Sequence, residues 1–112
     1  MKLTDLKESL NLKLINGNIE DIDFDGVYAG DFLSRAMSHV SSGNLWVTIM
    51  TNTNVIAVAS LSDCAAVILA EGMSLMPDAL KAAEDNDIIV LSSEDTVYDI
   101  CVKIYKTLNE NE

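Results

Sequence analysis

Basic side chains are scarce in this chain of 112 residues. Seven Lys and Arg stand against eighteen Asp and Glu, which gives a formal net charge of −11. Proteins that bind DNA or RNA replace the counterions of the phosphates with Lys and Arg, so this balance argues against a nucleic-acid partner. It argues equally against anionic membrane surfaces. The longest apolar runs have seven residues or fewer, whereas a membrane-spanning helix needs roughly 20. We therefore expect no membrane association.

Cysteine and histidine are too few for a disulfide framework or a zinc site. Cys64, Cys101 and the single histidine, His39, share no metal-ligand spacing, so we expect no metal and no cofactor. Asp5 and Glu8 fall where a signal peptide needs an apolar stretch,. These features predict a cytoplasmic protein with reduced thiols.

Sequence motifs of catalysis are also missing. The chain has no Walker glycine loop, no G-x-G-x-x-G and no G-x-S-x-G, so nothing indicates an ATPase of the Walker type or a Ser-His-Asp hydrolase. His39 lies late in a predicted helix, where a surface position is favoured over catalysis. Both cysteines are interpreted as structural, because apolar burial raises a thiol pKa and makes the thiol unreactive. We expect no enzymatic activity.

A short acidic segment permits two interpretations. Asp21, Asp23 and Asp25 are spaced like the first ligands of a calcium loop, but Phe32 stands where such a loop needs a glutamate,. Alternation also places the three carboxylates on one face of an extended strand. A solvated strand face is favoured, and weak binding of a divalent cation is the alternative.

Hydrophobic periodicity predicts ten elements. Expected helices cover 3–10, 31–40, 55–60, 77–84 and a final stripe of Val97, Ile100, Cys101, Ile104 and Leu108. Expected strands cover 12–15, 45–50, 65–70, 88–91 and an edge strand at 19–25. The second helix is expected to bury one face, formed by Phe32, Leu33, Ala36, Met37 and Val40. Asn54 is expected to cap the third helix, and Ser92 and Asp95 are expected to form a capping box before the last one. From Leu45 onward the β-α alternation predicts an α/β fold with a mainly parallel sheet, forming one domain over 1–108 with a frayed tail at 109–112.

Polar residues follow the predicted strands where a parallel sheet exposes its strand ends, which is where α/β proteins bind ligands. Backbone N–H groups at the helix starts that follow would favour anions. The junctions concerned are 28–31, 51–54, 71–73 and 92–95, and Arg35 is the one nearby cation. Helix capping is the alternative explanation of these polar residues. The candidate ligand-binding residues are Tyr28, Ala29, Gly30, Asp31, Thr51, Asn52, Thr53 and Asn54.

Two segments resemble DRTGG domains. Residues 26–34, GVYAGDFLS, are similar to the G-G-Y-A-S-D-L-L-S stretch of that family, and GNLWVT with NVIAVASL, at 43–48 and 54–61, is similar to its G-D-L-W-I-T and N-I-V-A-V-A-S-L parts. The chain departs from the family at Ile22, where some members have arginine, at 25–27, where the name-giving Thr-Gly-Gly falls, and at Asn52, where close relatives have histidine.

The resemblance implies a three-layer α/β sandwich with about five strands, like the N-terminal domain of HPr kinase/phosphorylase. It also implies a regulatory, non-catalytic role, a homodimer, and the sensing of a small adenine-nucleotide-like ligand, as in the regulatory inserts of some pyrophosphatases. The chain also resembles stand-alone members of the family that are encoded near clostridial iron hydrogenases. The alternative function is therefore a protein-interaction or accessory module of a redox or hydrogenase system, to which an exposed loop with Met73, Leu75 and Met76 would contribute.

Overall fold

This computed structural model describes residues 1–110 of the chain, which contain five helices and five strands. In chain order they are α1 (Leu3–Leu10), β1 (Lys13–Asn16), β2 (Val27–Ala29), α2 (Leu33–His39), β3 (Leu45–Thr48), α3 (Thr53–Ser62), β4 (Ala66–Leu69), α4 (Pro77–Asp85), β5 (Val90–Ser92) and α5 (Val97–Glu110). The predicted strand-helix alternation from Leu45 onward is confirmed.

The five strands form one sheet in the order β1-β5-β4-β3-β2. Strands β2 to β5 run parallel to their neighbours, whereas β1 pairs with β5 in the antiparallel direction. The sheet is therefore mixed and mainly parallel, which confirms the predicted α/β class. The antiparallel β1 adds an edge strand to a parallel core, a common arrangement in α/β sheets.

Side-chain alternation along the strands divides the core into two halves. In β3, Leu45 and Val47 join the cluster that packs against α1 and α5. Trp46, between them in sequence, joins the cluster that packs against α2, α3 and α4. Because successive strand residues point to opposite faces, β3 is buried on both sides. Helices thus cover both faces of the sheet, as a three-layer sandwich requires.

The three crossover helices all cover one face of the sheet. The chain moves from β2 to β3, β4 and β5 in a single direction across the sheet, so right-handed crossovers place α2, α3 and α4 together,. A ligand crevice of the doubly wound type opens where the strand order reverses and helices leave to opposite faces. Strands β2 to β5 contain no such reversal, so the topology by itself makes no crevice at their carboxyl ends.

The predicted edge strand at 19–25 is wrong. Asp21 has a left-handed backbone with φ +57°, and the segment makes a single bridge, between Lys2 and Asp23. Its apolar residues pack beneath α1 instead: Phe24 is buried, and Leu3 donates its N–H to the carbonyl of Ile22. The edge strand in this part of the chain is β2, which begins two residues later. Apolar and acidic residues alternated here because one side of a loop lies on the core.

The predicted apolar face of the second helix is partly wrong. The helix begins at Leu33, and the side chains of Phe32 and Met37 are 68% and 56% exposed. With seven residues, α2 makes about two turns, so its buried stripe is short. Ala36 and Val40 are buried.

Helix starts also differ from the sequence prediction. Asn52, not Asn54, caps α3: its side-chain oxygen accepts the N–H of Asn54. Ser92 lies in β5 rather than in a capping box, and the hydroxyl of Thr96 accepts the N–H of Asp99 at the start of α5. In both places several neighbouring polar residues can cap, and the backbone geometry selects one.

The last helix carries the predicted stripe. Ile100 and Ile104 are buried, and Val97, Cys101 and Leu108 pack against the same cluster. The helix continues through Glu110, so the first half of the expected tail at 109–112 is helical and residues 111 and 112 lie outside the described part. None of the helices within residues 1–110 has the length and apolar character needed to span a bilayer.

Candidate functional site

Four strands present their carboxyl ends at the same border of the sheet. Because β2, β3, β4 and β5 are parallel, the residues that follow them, at 30–32, 49–52, 70–73 and 93–95, line up along one side. We call this the carboxyl edge. It contains Gly30, Asp31, Thr51 and Asn52 of the predicted site, and Thr53 and Asn54 follow it directly in the first turn of α3.

Asp31 fastens the end of β2 to the end of β3. Its carboxylate oxygen Oδ1 accepts from the Thr48 hydroxyl at 2.6 Å and from the Ile49 N–H at 2.9 Å. Thr48 is fully buried, and its hydroxyl oxygen in turn accepts the N–H of Met50 at 3.2 Å. Hydrogen bonds to an ionised group are stronger than neutral ones. Asp31 therefore has a structural role that the sequence did not indicate.

Gly30, directly after β2, is also hydrogen-bonded to β3. Its N–H donates to the carbonyl of Val47 at 3.1 Å, and its own carbonyl accepts the indole N–H of Trp46 at 2.9 Å. A Cβ at Gly30 would lie 3.1 Å from the hydroxyl of Tyr28, so the tyrosine ring packs close to this backbone. Trp46 and Thr48 were missed as site residues. The available signal was a polar threonine at the end of an otherwise apolar strand.

Tyr28 and Ala29 point away from each other. Tyr28 packs on the α2 face, with its ring stacked on that of His39 at a centroid distance of 5.8 Å. Ala29, the next residue in β2, lines the α5 face,. The four residues predicted at this junction are thus divided between two faces of the sheet and its carboxyl edge.

Some of the hydrogen-bonding groups in the 51–54 segment are already bonded within the protein. The Thr51 carbonyl accepts the N–H of Met76 at 3.0 Å, and the Asn52 side chain caps α3. Thr53 and Asn54 are exposed, and no hydrogen bond within the described part of the chain involves the Asn54 amide group. The hydroxyls of Thr51 and Thr53 also form no hydrogen bond within residues 1–110, so these two side chains and Asn54 are the candidates in this segment that remain available to a ligand.

Several N–H groups expected to attract an anion are already bonded. Glu71 and Gly72 donate their N–H groups to the carbonyls of Asp95 and Ser93, both at 2.8 Å. The Asp95 N–H donates to the Ser93 hydroxyl at 3.0 Å. These bonds link the β4 and β5 ends to each other and leave fewer donors for a ligand than the sequence suggested.

The carboxyl edge is acidic. Asp31, Glu71, Glu94 and Asp95 lie along it, and Lys103 reaches Asp95 with an ion pair of 2.6 Å. That carboxylate raises the pKa of Lys103. Arg35, the predicted cationic partner, is exposed in α2. Like charges disfavour a bare phosphate here, so neutral hydrogen-bonding groups are the better match to this edge.

At least four clefts in the described part of the chain lie away from 51–54, and two of them lie beside or at the end of strands β2 to β5. One, of about 300 Å³, separates β2 from α5, and its lining consists of Gly26, Val27, Ala29, Cys101, Ile104, Tyr105 and Leu108. The other, of about 400 Å³, lies at the opposite end of the strands and includes Ser60, Asp63, Cys64 and Asp87. The candidate residues Thr51 to Asn54 line neither of them.

The single histidine is exposed, and both cysteines are partly buried. The exposed His39 has its Nδ1 2.9 Å from the carbonyl oxygen of Arg35, at the end of α2. Burial raises the pKa of the Cys64 thiol to about 11 and also raises that of Cys101. A thiol with a raised pKa holds little thiolate at neutral pH, so it is a poor nucleophile.

The three aspartates of the acidic segment do not share one strand face. Asp21 has a left-handed backbone, Asp23 pairs with Lys2 at 3.3 Å, and the carbonyl of Asp25 accepts from the Asn44 side chain. Within residues 1–110 no group of three His, Cys, Asp or Glu side chains is arranged to hold a metal ion.

Comparison with known proteins shows a likeness of fold. No family model matches the chain, and no curated protein matches it in sequence. Among solved structures, the chain is similar to one described as the CBS and DRTGG domains of the regulatory region of Clostridium perfringens pyrophosphatase, complexed with activator, diadenosine tetraphosphate. The TM-score is 0.77 at 17% sequence identity over 92% of this chain. The chain spans 45% of the length of that structure. At the level of the fold, the predicted DRTGG-like domain is confirmed.

Proposed function

We propose that this chain is a non-catalytic regulatory domain that senses a small adenine-nucleotide-like ligand at the carboxyl edge and acts as a homodimer in the cytoplasm. The observation that carries the proposal is the fold likeness, with a TM-score of 0.77, to a regulatory region described in complex with diadenosine tetraphosphate. Fold likeness alone does not establish function, so the site must supply the chemistry.

The chemistry of the carboxyl edge favours a neutral part of the ligand. Thr53 and the unbonded amide of Asn54 offer a hydroxyl and an amide in the first turn of α3. An amide both donates and accepts, which matches the donor and acceptor atoms on the edge of an adenine ring. Glu71 and Glu94 lie on the same border and repel phosphates. We therefore expect the base and ribose, rather than the phosphates, to contact this edge.

A regulatory role requires that ligand binding favour one state over another. The ligand shifts an equilibrium only as far as its affinity differs between the two states. The loops of the carboxyl edge are linked by backbone bonds, from Thr51 to Met76 and from Gly72 to Ser93. A ligand that displaced one of these loops would move its neighbour, which gives the domain a route from ligand to partner surface.

Thermal unfolding with nucleotides tests the proposal. We expect AMP, ATP or diadenosine tetraphosphate to raise the melting temperature by several degrees, because a ligand at 100 times its dissociation constant adds about 2.7 kcal/mol of stability. Asn54→Ala should reduce the shift without lowering the melting temperature of the free protein. Ser60→Ala is the matched control, since Ser60 is exposed on the same helix but far from its start.

The outcome separates sensing from catalysis. If none of the three nucleotides changes the melting temperature, nucleotide sensing is ruled out. If the melting temperature rises and chromatography recovers the nucleotide unchanged, the domain binds without turnover. Hydrolysis of the nucleotide would instead contradict the non-catalytic part of the proposal.

A protein-interaction module of a redox system is the second candidate. The loop before α4 exposes Met73 by 40% and Met76 by 50%, while Leu75 packs against the core. Exposed methionines adapt to varied partner surfaces. Crosslinking in a native extract would then join a redox enzyme to this loop, and Met76→Lys would abolish the product. A crosslink that survives this substitution would place the contact elsewhere.

A further inference from the structure

Strand β2 has one unpaired side. Within residues 1–110 it lies at the end of the sheet and pairs only with β3. The Gly26 carbonyl accepts from Leu45 and the Gly30 N–H donates to Val47, so residues 26, 28 and 30 direct their backbone groups toward β3. In a parallel pair the direction alternates along the strand. The N–H and C=O groups of Val27 and Ala29 therefore point outward, away from the sheet.

An uncharged apolar surface borders this open side. The cleft between β2 and α5 is lined by seven residues, and none of them is charged, although charged residues make up 22% of the chain. Tyr105 is 70% exposed and Val27 is 36% exposed. Tyr98, two turns before Tyr105 on α5, is 75% exposed,. We call Val27, Ala29, Tyr98, Cys101 and Tyr105 the β2–α5 surface. Exposed tyrosines and a lack of charge are typical of the centre of protein interfaces.

From these features we infer that the β2–α5 surface is the interface between two copies of this chain, formed by antiparallel pairing of β2 with β2 of the second copy. The inference deepens the proposed homodimer and rests on that part of the proposed function, but it does not depend on a nucleotide. The interface joins the two sheets into one sheet of ten strands.

The strand is self-complementary about Tyr28. With Tyr28 on a two-fold axis, Val27 of each copy lies opposite Ala29 of the other. Both of these residues direct their N–H and C=O groups outward, so the two pairs form four backbone hydrogen bonds. A two-fold interface uses the same surface on both copies. The axis runs perpendicular to the sheet, so both α5 helices lie on the same face and bring Tyr105 of each copy toward the seam.

The uncharged lining of the β2–α5 surface lets two acidic copies meet without bringing carboxylates together. Each copy carries −11, so an interface between copies must avoid carboxylates,. Asp25 and Asp31 flank β2, but the Asp31 carboxylate bonds to Thr48 and Ile49, and the Asp25 carboxylate oxygen Oδ1 lies 3.4 Å from the Asn44 side-chain nitrogen. Both are thus directed toward β3 and away from the open side. Because the two copies still repel at longer range, added salt should strengthen the dimer.

Sedimentation equilibrium of the full chain without nucleotide tests the interface. We expect the wild type to have twice the mass of one chain. Tyr105→Glu places a charge on the β2–α5 surface and should give a monomer. Ala29→Pro removes an outward N–H without touching the bonds to β3, and should also give a monomer. Leu61→Glu is the matched control: Leu61 is 76% exposed on α3, so this variant should remain a dimer.

Each outcome decides the inference. A monomeric wild type overturns it, as does a dimer that persists in Tyr105→Glu. A dimer lost in Tyr105→Glu but kept in a folded Ala29→Pro overturns the strand pairing, since α5 alone would then form the contact. If Ala29→Pro fails to fold by circular dichroism, Tyr105→Glu and Leu61→Glu still decide it. Because no nucleotide is present, a failure here is distinct from an absent shift in the melting experiment.

Discussion

Removing the Asp31 carboxylate should destabilise the fold by an amount that its hydrogen bonds predict. In Asp31→Ala the buried hydroxyl of Thr48 loses its acceptor, and a buried donor left unsatisfied costs about 1–3 kcal/mol,. The Ile49 N–H also loses its partner, but it is more accessible, so water can replace the bond. We expect a total loss of about 2 kcal/mol, a large share of the roughly 5–15 kcal/mol typical of a domain.

Two comparisons isolate the cause. Asp31→Asn keeps a side-chain oxygen in the same place and loses only the charge, so it should cost about 1 kcal/mol, in line with the smaller value of a neutral hydrogen bond. In a Thr48→Val background the buried donor is absent, and Asp31→Ala should then cost about half as much as in the wild type. Urea unfolding measures all five proteins, namely the wild type, Asp31→Ala, Asp31→Asn, Thr48→Val and the double variant, and an unchanged slope with urea indicates that the unfolded states are comparable.

The reasoning would be refuted by either of two results. If Asp31→Ala costs less than about 0.5 kcal/mol, the value typical of an ordinary surface change, the link between β2 and β3 contributes nothing to stability. If Asp31→Asn is as costly as Asp31→Ala, the charge alone matters and the geometry of the oxygen does not.

The remaining predictions concern a cap, a thiol and a glycine. Asn52→Ala should cost about 1 kcal/mol in urea unfolding because it removes the α3 cap, whereas Asn54→Ala should change stability by less than about 0.5 kcal/mol,; equal losses would contradict the assignment of the cap. The folded pKa of Cys64 is about 11, above its usual value, so the unfolded state loses the proton first and stability should fall as pH rises from about 9 to 11,. Cys64→Ala should remove that part of the pH dependence, and an unchanged curve would contradict the burial of the thiol. Gly17→Ala should cost more than about 1 kcal/mol, because Gly17 has φ +102° and an added Cβ would lie 2.8 Å from Ile89,; a variant as stable as the wild type would show that this turn is not constrained.

The second half of the fold could be predicted because its strands are nearly continuous apolar runs and its last helix carries a clear apolar stripe. The run at 65–70 is apolar throughout and that at 45–50 is apolar except for Thr48, as is typical of strands buried on both faces, and both contain central strands,. The stripe on the last helix was equally clear. Short connections between these elements left few alternative topologies.

The first half was less readable because tertiary contacts override its local pattern. At 19–25 the alternation of apolar and acidic residues is that of a strand, but the segment curves beneath α1 and Asp21 takes a left-handed backbone. Phe32 and Met37 fit a helical stripe, yet α2 is too short to bury them. Hydrophobic periodicity indicates which residues are apolar. It does not indicate where a helix begins or which other elements pack against that helix.

The position of several candidate residues at the strand ends could be predicted from sequence, but their individual hydrogen bonds could not. The strand ends at Asp31 and Thr51 do lie on one edge, as the parallel sheet required. The sequence does not indicate, however, that Asp31 bonds to a buried threonine, that Asn52 caps α3, or that the Gly72 N–H donates to a neighbouring loop. These roles depend on distances across the sheet, between residues far apart in sequence.

The central claim, nucleotide sensing at the carboxyl edge, is tested most directly by titrating the ¹⁵N-labelled protein with diadenosine tetraphosphate and following its amide resonances. We predict saturable shifts concentrated at 30–32, 49–54, 70–73 and 93–95, with the largest at Thr53 and Asn54. Resonances that do not move at millimolar ligand, or shifts confined to the opposite end of the strands around Ser60 and Asp63, would contradict the claim.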